Sequence, residues 1–310
     1  MLDSENSESV NDDLRQWEEV KIEMPWGHVS GKWYGNRNEQ PILAFHGWLD
    51  NAGTFDRLIP LLPEKIPVFS IDLPGHGQSD HFPTGMNYHL YWDYISVVRR
   101  IVKHFGWQKL KMIGHSMGAS VCFMYAACYA KDVEQIILLD SYGPIIRNQR
   151  INAAITGSFI DRTINLDSTS KQHQWTYEEV IERRLEEGSI DRESVKILLK
   201  RGLNPVSACS GEQKYTVAAD PRLRYSGLGL FTLEHILTYA ALIQCPVLNI
   251  RATPGYKFDR PEVYQQVLNV LRNNVDVEYH EVAGSHYLHL QTPEKIANLI
   301  SMFLLNVDQF

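Results

Sequence analysis

A serine, a histidine and two aspartates carry the chemistry that can be read from this chain. Gly114-His115-Ser116-Met117-Gly118 follows an apolar run and leads into a small-residue helical stretch, Val121 to Ala130. In that strand–turn–helix context, Gly-x-Ser-x-Gly forms a sharp turn that presents a serine hydroxyl. Side chains two positions either side of Ser116 would collide with the neighbouring strand and helix. Gly114 and Gly118 remove those collisions, and Ala119 keeps the next contact small. A serine hydroxyl is a weak nucleophile at neutral pH, so it needs a base, itself oriented by an acid.

For the base, His286 stands in Ala283-Gly284-Ser285-His286, after the last expected strand and before the last helix. The plainer alternative is a histidine that caps that helix. His289, three residues on, is expected to pack or to line the site entrance. The acid has two candidates in the required order Ser…Asp…His. Asp140 ends the apolar strand Val133 to Leu139 and is preferred, because its carboxylate would stand at the strand tip beside the histidine. Asp259 is the second candidate. Their plainer readings are a turn-former at a strand end for Asp140 and a helix cap for Asp259.

A tetrahedral oxyanion needs two fixed N–H donors. The backbone N–H of Met117, at the amino end of the helix after Ser116, is one candidate. The backbone N–H of Trp48, in His46-Gly47-Trp48, is the other, and its ring is expected to help wall an acyl pocket. A turn that merely packs an aromatic is the alternative. His76, His81 and His89 have no metal-ligand spacing, and no cofactor motif occurs, so neither metal nor cofactor is expected.

Elements must hold these groups together. Trp17 to Met24 and His28 to Tyr34 alternate in polarity around Pro25-Trp26-Gly27 and read as an antiparallel hairpin at a sheet edge. Pro41 to Phe45 is a continuous apolar run of the kind found in a buried parallel strand, and Val68 to Leu73, the run before Ser116, Val133 to Leu139, Pro246 to Ile250 and Val275 to Val282 read as further strands. Between them lie a short helix over Thr54 to Leu62, capped by Thr54, and helices over Tyr88 to Phe105, Pro261 to Arg272 and Pro293 to Leu305. The alternation implies a mostly parallel, doubly wound α/β sheet with its site at the carboxyl ends of the strands.

From Ser141 to Gln244 the rhythm breaks, with helical candidates at Tyr177–Glu187, Arg192–Arg201 and Leu233–Ile243 and a hairpin or extended turn over Tyr215–Tyr225. About a hundred residues is too long for a simple loop. The expected organisation is an acidic mobile tail over 1–13, a core over 14–140 and 245–310, and a mainly helical cap over 141–244.

The 310 residues carry a net charge of −7, with scattered Lys and Arg, which excludes a basic nucleic-acid footprint. No apolar run approaches the ~18 residues of a membrane span, and the N-terminus lacks the layout of a signal peptide. Cys122, Cys128, Cys209 and Cys245 have no paired spacing and there is no Asn-x-Ser/Thr sequon. These features lead one to expect a reducing, intracellular compartment. The ending Val307-Asp308-Gln309-Phe310 is not a Ser-Lys-Leu address.

With these residues in place, nearly the whole chain resembles the α/β-hydrolase superfamily. More narrowly, it is similar to the serine hydrolase-like proteins of animals, including the insect kraken type. The resemblance rests on the stretch from His46-Gly47-Trp48-Leu49-Asp50-Asn51 through Leu62, on Asp72-Leu73-Pro74-Gly75-His76-Gly77-Gln78-Ser79, on the Ser116 turn and on Leu198-Leu199-Lys200-Arg201-Gly202. It implies the α/β-hydrolase fold with Ser116 as nucleophile, in the cytoplasm or the peroxisome. The commoner superfamily pattern puts the acid just after the Pro246–Ile250 strand. This chain departs from it, having no carboxylate there before Asp259.

The expected activity is cleavage of a small carboxylic ester, or a thioester or amide, through an acyl-enzyme. The alternatives are a non-catalytic ligand-binding protein on the same scaffold and a cofactor-free perhydrolase or acyltransferase. Natural substrate and oligomeric state stay open at this point.

Overall fold

The computed structural model describes residues 15–167, 172–206, 211–227, 230–255 and 261–306. The acidic segment 1–13, Cys209, the second acid candidate Asp259 and the residues 307–310 lie outside the described residues.

The strands are β1 (Trp17–Met24), β2 (Gly27–Tyr34), β3 (Ile42–Phe45), β4 (Val68–Ile71), β5 (Leu110–His115) and β6 (Val133–Leu139), then β7 (Leu203–Val206), β8 (Lys214–Val217), β9 (Val247–Pro254) and β10 (Val277–Gly284). Eight of them form one sheet in the order β1-β2-β4-β3-β5-β6-β9-β10. The β1–β2 hairpin is antiparallel and joins β4 antiparallel, while the pairs from β4 to β10 are parallel.

Side-chain alternation explains why helices cover both faces. Leu43, Phe45, Met112, Ile136 and Leu138 pack on one face with α1 (Trp92–Phe105) and α2 (Met117–Cys128). Ile42, Ala44, Ile113, Ile137 and Leu139 pack on the other, where α9 (Glu294–Asn306) supplies Ile296, Ile300 and Phe303. Helix α1 stops where Gly106 takes the left-handed conformation at φ 69°, the usual role of glycine beyond a helix end.

Between β6 and β9 the chain inserts α3 (Gln149–Asp167), α4 (Tyr177–Glu186), α5 (Arg192–Gly202), the β7–β8 pair and α6 (Leu233–Leu242). Thr176 and Glu179 form a reciprocal capping box on α4, and Asp191 caps α5. The insertion is fastened by a buried ion pair. Arg201 places Nη2 2.5 Å and Nε 3.0 Å from Asp72 Oδ2, and its other donors hold Glu19 at 2.6 and 2.9 Å. After α7 (Pro261–Arg272) and β10, a single turn, α8 (Leu288–Gln291), precedes α9.

The structure corrects three sequence expectations. Thr54 to Leu62 is not a helix. It forms two 3-10 turns, Ala52–Phe55 and Ile59–Leu61, capped first by Asn51, while Pro60 denies the second a continuing N–H. The Thr54 hydroxyl is instead 2.8 Å from His289 Nε2. Helix α3 gave no periodic signal because only Asn152 and Thr163 of its side chains are buried. The turn expected at Tyr215–Tyr225 splits into β8 and a 3-10 turn over Pro221–Tyr225.

Candidate active site

Ser116 follows β5 directly and precedes the first residue of α2. Its φ of 53° and ψ of −111° are strained for a residue with a side chain. The glycines show why the turn holds. A Cβ on Gly114 would stand 2.2 Å from the Gly118 backbone, and one on Gly118 would stand 2.0 Å from the Phe45 carbonyl. The helix can therefore start against the tip of β3 only if both positions lack side chains. The Ser116 N–H continues the ladder, donating to the Leu139 carbonyl at 3.0 Å. Because His115 pairs with Leu139, the tip of β6 stands beside the serine.

That tip is Asp140, at φ 48°. Its N–H donates to the Ile250 carbonyl at 2.7 Å. Oδ1 accepts from the Ala252 N–H at 2.9 Å, and Oδ2 lies 2.6 Å from His286 Nδ1. The carboxylate is thus gripped by β9 and aimed at the loop that follows β10. With Nδ1–H donating to this carboxylate, the His286 tautomer is fixed and Nε2 is the lone-pair nitrogen. Ser116, Asp140 and His286 are all buried. His286 is joined to the serine turn by its backbone, since His115 Nε2–H donates to the His286 carbonyl at 2.9 Å, and the two imidazole rings lie 4.5 Å apart.

The loop after β3 is fixed from several sides. His46 is fully buried, with Nδ1 2.7 Å from the Gly47 carbonyl and Nε2 accepting from the Leu73 N–H at 3.0 Å. Burial pushes its pKa down to about 4, so it is neutral. The Asp50 N–H also donates to the Gly47 carbonyl, at 3.2 Å. In a planar trans peptide the N–H points opposite the C=O, so these two bonds set the direction of the Trp48 N–H. Neither the Trp48 nor the Met117 N–H has a protein acceptor among the described residues. Gly47 is required here as well, because a Cβ would lie 2.9 Å from both Asp50 Oδ2 and His115 Nδ1. Neither His46 nor Asp50 stands out in the sequence as a residue that orients this loop, although both lie in the stretch His46-Gly47-Trp48-Leu49-Asp50-Asn51.

A cavity of about 640 Å³ opens between this loop and the insertion, lined by Leu49, Asp50, Trp175, Val180, Arg184 and Leu198 among others. Ser116, Asp140 and His286 are not part of its lining. Asp50 is the link between the two regions, because its Oδ1 accepts from the hydroxyl of Tyr287, the neighbour of His286, at 3.2 Å. The Trp48 ring was expected to wall an acyl pocket. Instead it is 44% exposed, stays out of that lining and donates through Nε1 to the Leu223 carbonyl at 3.2 Å. His289 packs, fully buried, between Thr54 and the His115 ring.

Comparison with known proteins identifies the fold and the family. A family model described as the alpha/beta hydrolase fold matches residues 40–190. A Drosophila melanogaster protein named probable serine hydrolase is 45% identical over 293 residues, 93% of this chain and 88% of its own length. The chain is a serine hydrolase-like member of the α/β-hydrolase family. A serine hydrolase-like protein of Danio rerio is 31% identical over 92% of this chain and 88% of its own. The crystal structure of a hypothetical protein from Pseudomonas aeruginosa PAO1 superposes on this α/β hydrolase with a TM-score of 0.81. It is 29% identical and covers 93% of this chain and 99% of that one. Among the described residues, no helix of this hydrolase is long and apolar enough to cross a membrane.

Proposed function

We propose that this α/β hydrolase is a serine esterase that cleaves small carboxylic esters through an acyl-enzyme. The reading rests on one observation above all, the 2.6 Å contact of His286 Nδ1 with Asp140 Oδ2 one strand from the strained Ser116 turn. In this mechanism Ser116 Oγ attacks the ester carbonyl carbon as His286 Nε2 takes the hydroxyl proton. The oxyanion is held by the Trp48 and Met117 N–H groups, each donor contributing on the order of 10²–10³ in rate. Collapse expels the alcohol, which takes its proton from His286. Water, deprotonated by the same imidazole, then releases the acid and restores Ser116. The inserted segment 141–244 acts as a cap that shapes the substrate site, and the compartment is the cytoplasm or the peroxisome.

A second reading, ligand binding without turnover, is favoured by the cavity lining that omits all three triad residues. A fluorophosphonate probe together with p-nitrophenyl acetate and butyrate separates the two. The esterase reading expects labelling and turnover in the wild type, and neither in Ser116→Ala. Labelling that survives in Ser116→Ala removes the nucleophile assignment. A folded wild type that neither labels nor turns over favours the binding reading.

A further inference from the structure

The donor loop carries a buried carboxylate for which the proposed reaction has no use. Asp50 is 2% exposed, and leaving a charge there is costly unless it is paired. The partners come from two other parts of the molecule. Arg184, on α4, donates through Nη2 to Asp50 Oδ1 at 3.0 Å. Tyr287, next to His286, donates its hydroxyl to the same oxygen at 3.2 Å and accepts from Arg184 Nη2 at 3.3 Å. Three groups thus close a triangle of hydrogen bonds. Arg184 Nη1 is anchored in turn by Glu187 at 2.8 Å.

The other carboxylate oxygen faces the serine turn. Asp50 Oδ2 lies 3.9 Å from His115 Nδ1, and neither atom has a hydrogen-bond partner among the described residues. Gly47 fills the space beside both, as its lack of room for a Cβ shows. Burial raises the Asp50 pKa and lowers that of His115. The carboxylate is held by Arg184 and Tyr287 rather than by its neighbour on the turn.

We propose that Asp50, Arg184 and Tyr287 are positioning residues that form one clamp, through which cap helix α4 holds the Trp48 donor loop against the His286 loop. This rests on the esterase reading for its effect on rate, but the contacts themselves do not. Asp50 is two residues from Trp48 and Tyr287 is one from His286. A shift of α4 therefore moves both loops relative to each other. Asp50 and Arg184 also line the 640 Å³ cavity, so a ligand seated there touches the clamp directly. Seating of the cap and assembly of the oxyanion site become one event.

The test uses the full chain as wild type, Arg184→Lys, Arg184→Met and the double variant Asp50→Asn/Arg184→Met, with p-nitrophenyl butyrate as substrate. Arg184→Met is expected to lower kcat about a hundredfold, the cost of a small misplacement, with KM little changed. Lys at 184 should restore a substantial part of kcat. The double variant should exceed Arg184→Met, because it no longer leaves a buried charge unpaired. A loss confined to KM, or Lys no better than Met, makes Arg184 part of the binding wall and overturns the clamp.

Hydrogen exchange gives a readout that needs no turnover. In Arg184→Met, protection should fall in both 47–51 and 285–289. Increased exchange limited to 177–187 overturns the proposal. If the wild type proves inactive, the esterase reading fails and this arm still decides the clamp. If Arg184→Met does not fold, Tyr287→Phe, which removes only the hydroxyl shared by Asp50 and Arg184, supplies the same comparison.

Discussion

His286 and Asp140 meet across three strands of the sheet: Nδ1 lies 2.6 Å from Oδ2, with Asp140 at the tip of β6 and His286 beyond the end of β10. The second oxygen of Asp140 is held by the Ala252 N–H at 2.9 Å, so the carboxylate cannot turn away without giving up a bond to β9. An amide at 140 keeps the shape but presents a donor as readily as an acceptor, which allows the wrong imidazole tautomer. We therefore expect Asp140→Asn to fold normally and to lose up to ~10⁴ in kcat for p-nitrophenyl acetate. Asp259→Asn should stay near wild type. A near-normal Asp140→Asn enzyme would refute the acid assignment.

The Ser116 turn makes a sharper demand on stability than on charge. A Cβ at Gly118 would meet the Phe45 carbonyl at 2.0 Å, and backbone on both sides leaves nothing flexible to yield. Gly118→Ala is expected to cost about 1–3 kcal/mol or more. Gly157, inside α3, has nothing within 4 Å of its Cβ position. There, Gly→Ala should stabilise by about 0.4–1 kcal/mol. Opposite shifts in Tm for the two alanines would separate a required glycine from an incidental one. A Gly118→Ala protein as stable as wild type would show that the turn can relax.

The sheet was legible because its strands are short apolar runs at regular intervals, while their order, with β6 beside β5, is given by the structure. That order by itself puts Asp140 next to the Ser116 turn. Asp50 was not legible as a clamp residue. Its partners Arg184 and Tyr287 are 134 and 237 positions away in the chain, and no local pattern marks a carboxylate whose neutralising charge comes from so far. Helix α3 escaped for the opposite reason. It buries so little that its sequence carries no apolar stripe. The direction of the Trp48 ring was not legible either, because side-chain direction in a loop depends on what lies above it, here the Leu223 carbonyl.

Acid should unfold this protein earlier than its carboxylates alone would require. His46, His76 and His289 are fully buried, and burial pushes their pKa values down to about 4, 3 and 3. His115 is lowered well below its ordinary value by the same cause. Each is neutral in the fold but takes a proton near pH 6.5 once unfolded. The unfolded state then binds more protons, so the stability present above pH 6.5 is lost as pH falls toward 4. At pH 5 the cost is up to about 2 kcal/mol for each such histidine. Asp50, with its pKa raised by burial, works in the other direction and offsets part of it. Thermal melts at pH 7.5 and 5 should show a marked drop in Tm, and His76→Gln should flatten the slope. A Tm flat over that range would mean these rings accept protons in the folded state.

Arg201 should carry a large share of the attachment of the inserted segment, beside the Asp50–Arg184 contact. Arg201 joins Asp72 Oδ2 at 2.5 Å, and Asp72 is fully buried. Removing the guanidinium leaves that carboxylate without its counter-charge, a loss of roughly 3–5 kcal/mol. Asp72 would keep its bonds from the Ala52 and Gln78 N–H groups at 2.7 and 2.9 Å, which hold the carboxylate but do not neutralise it. Glu19 is the outer partner, with its side chain 30% exposed, so Glu19→Gln should cost no more than about 1 kcal/mol. The two arms separate charge from packing. If the unpaired carboxylate is what hurts in Arg201→Ala, then Asp72→Asn/Arg201→Ala should recover part of the loss in urea unfolding. If packing of the arginine stem is what matters, the double variant will be no more stable than Arg201→Ala.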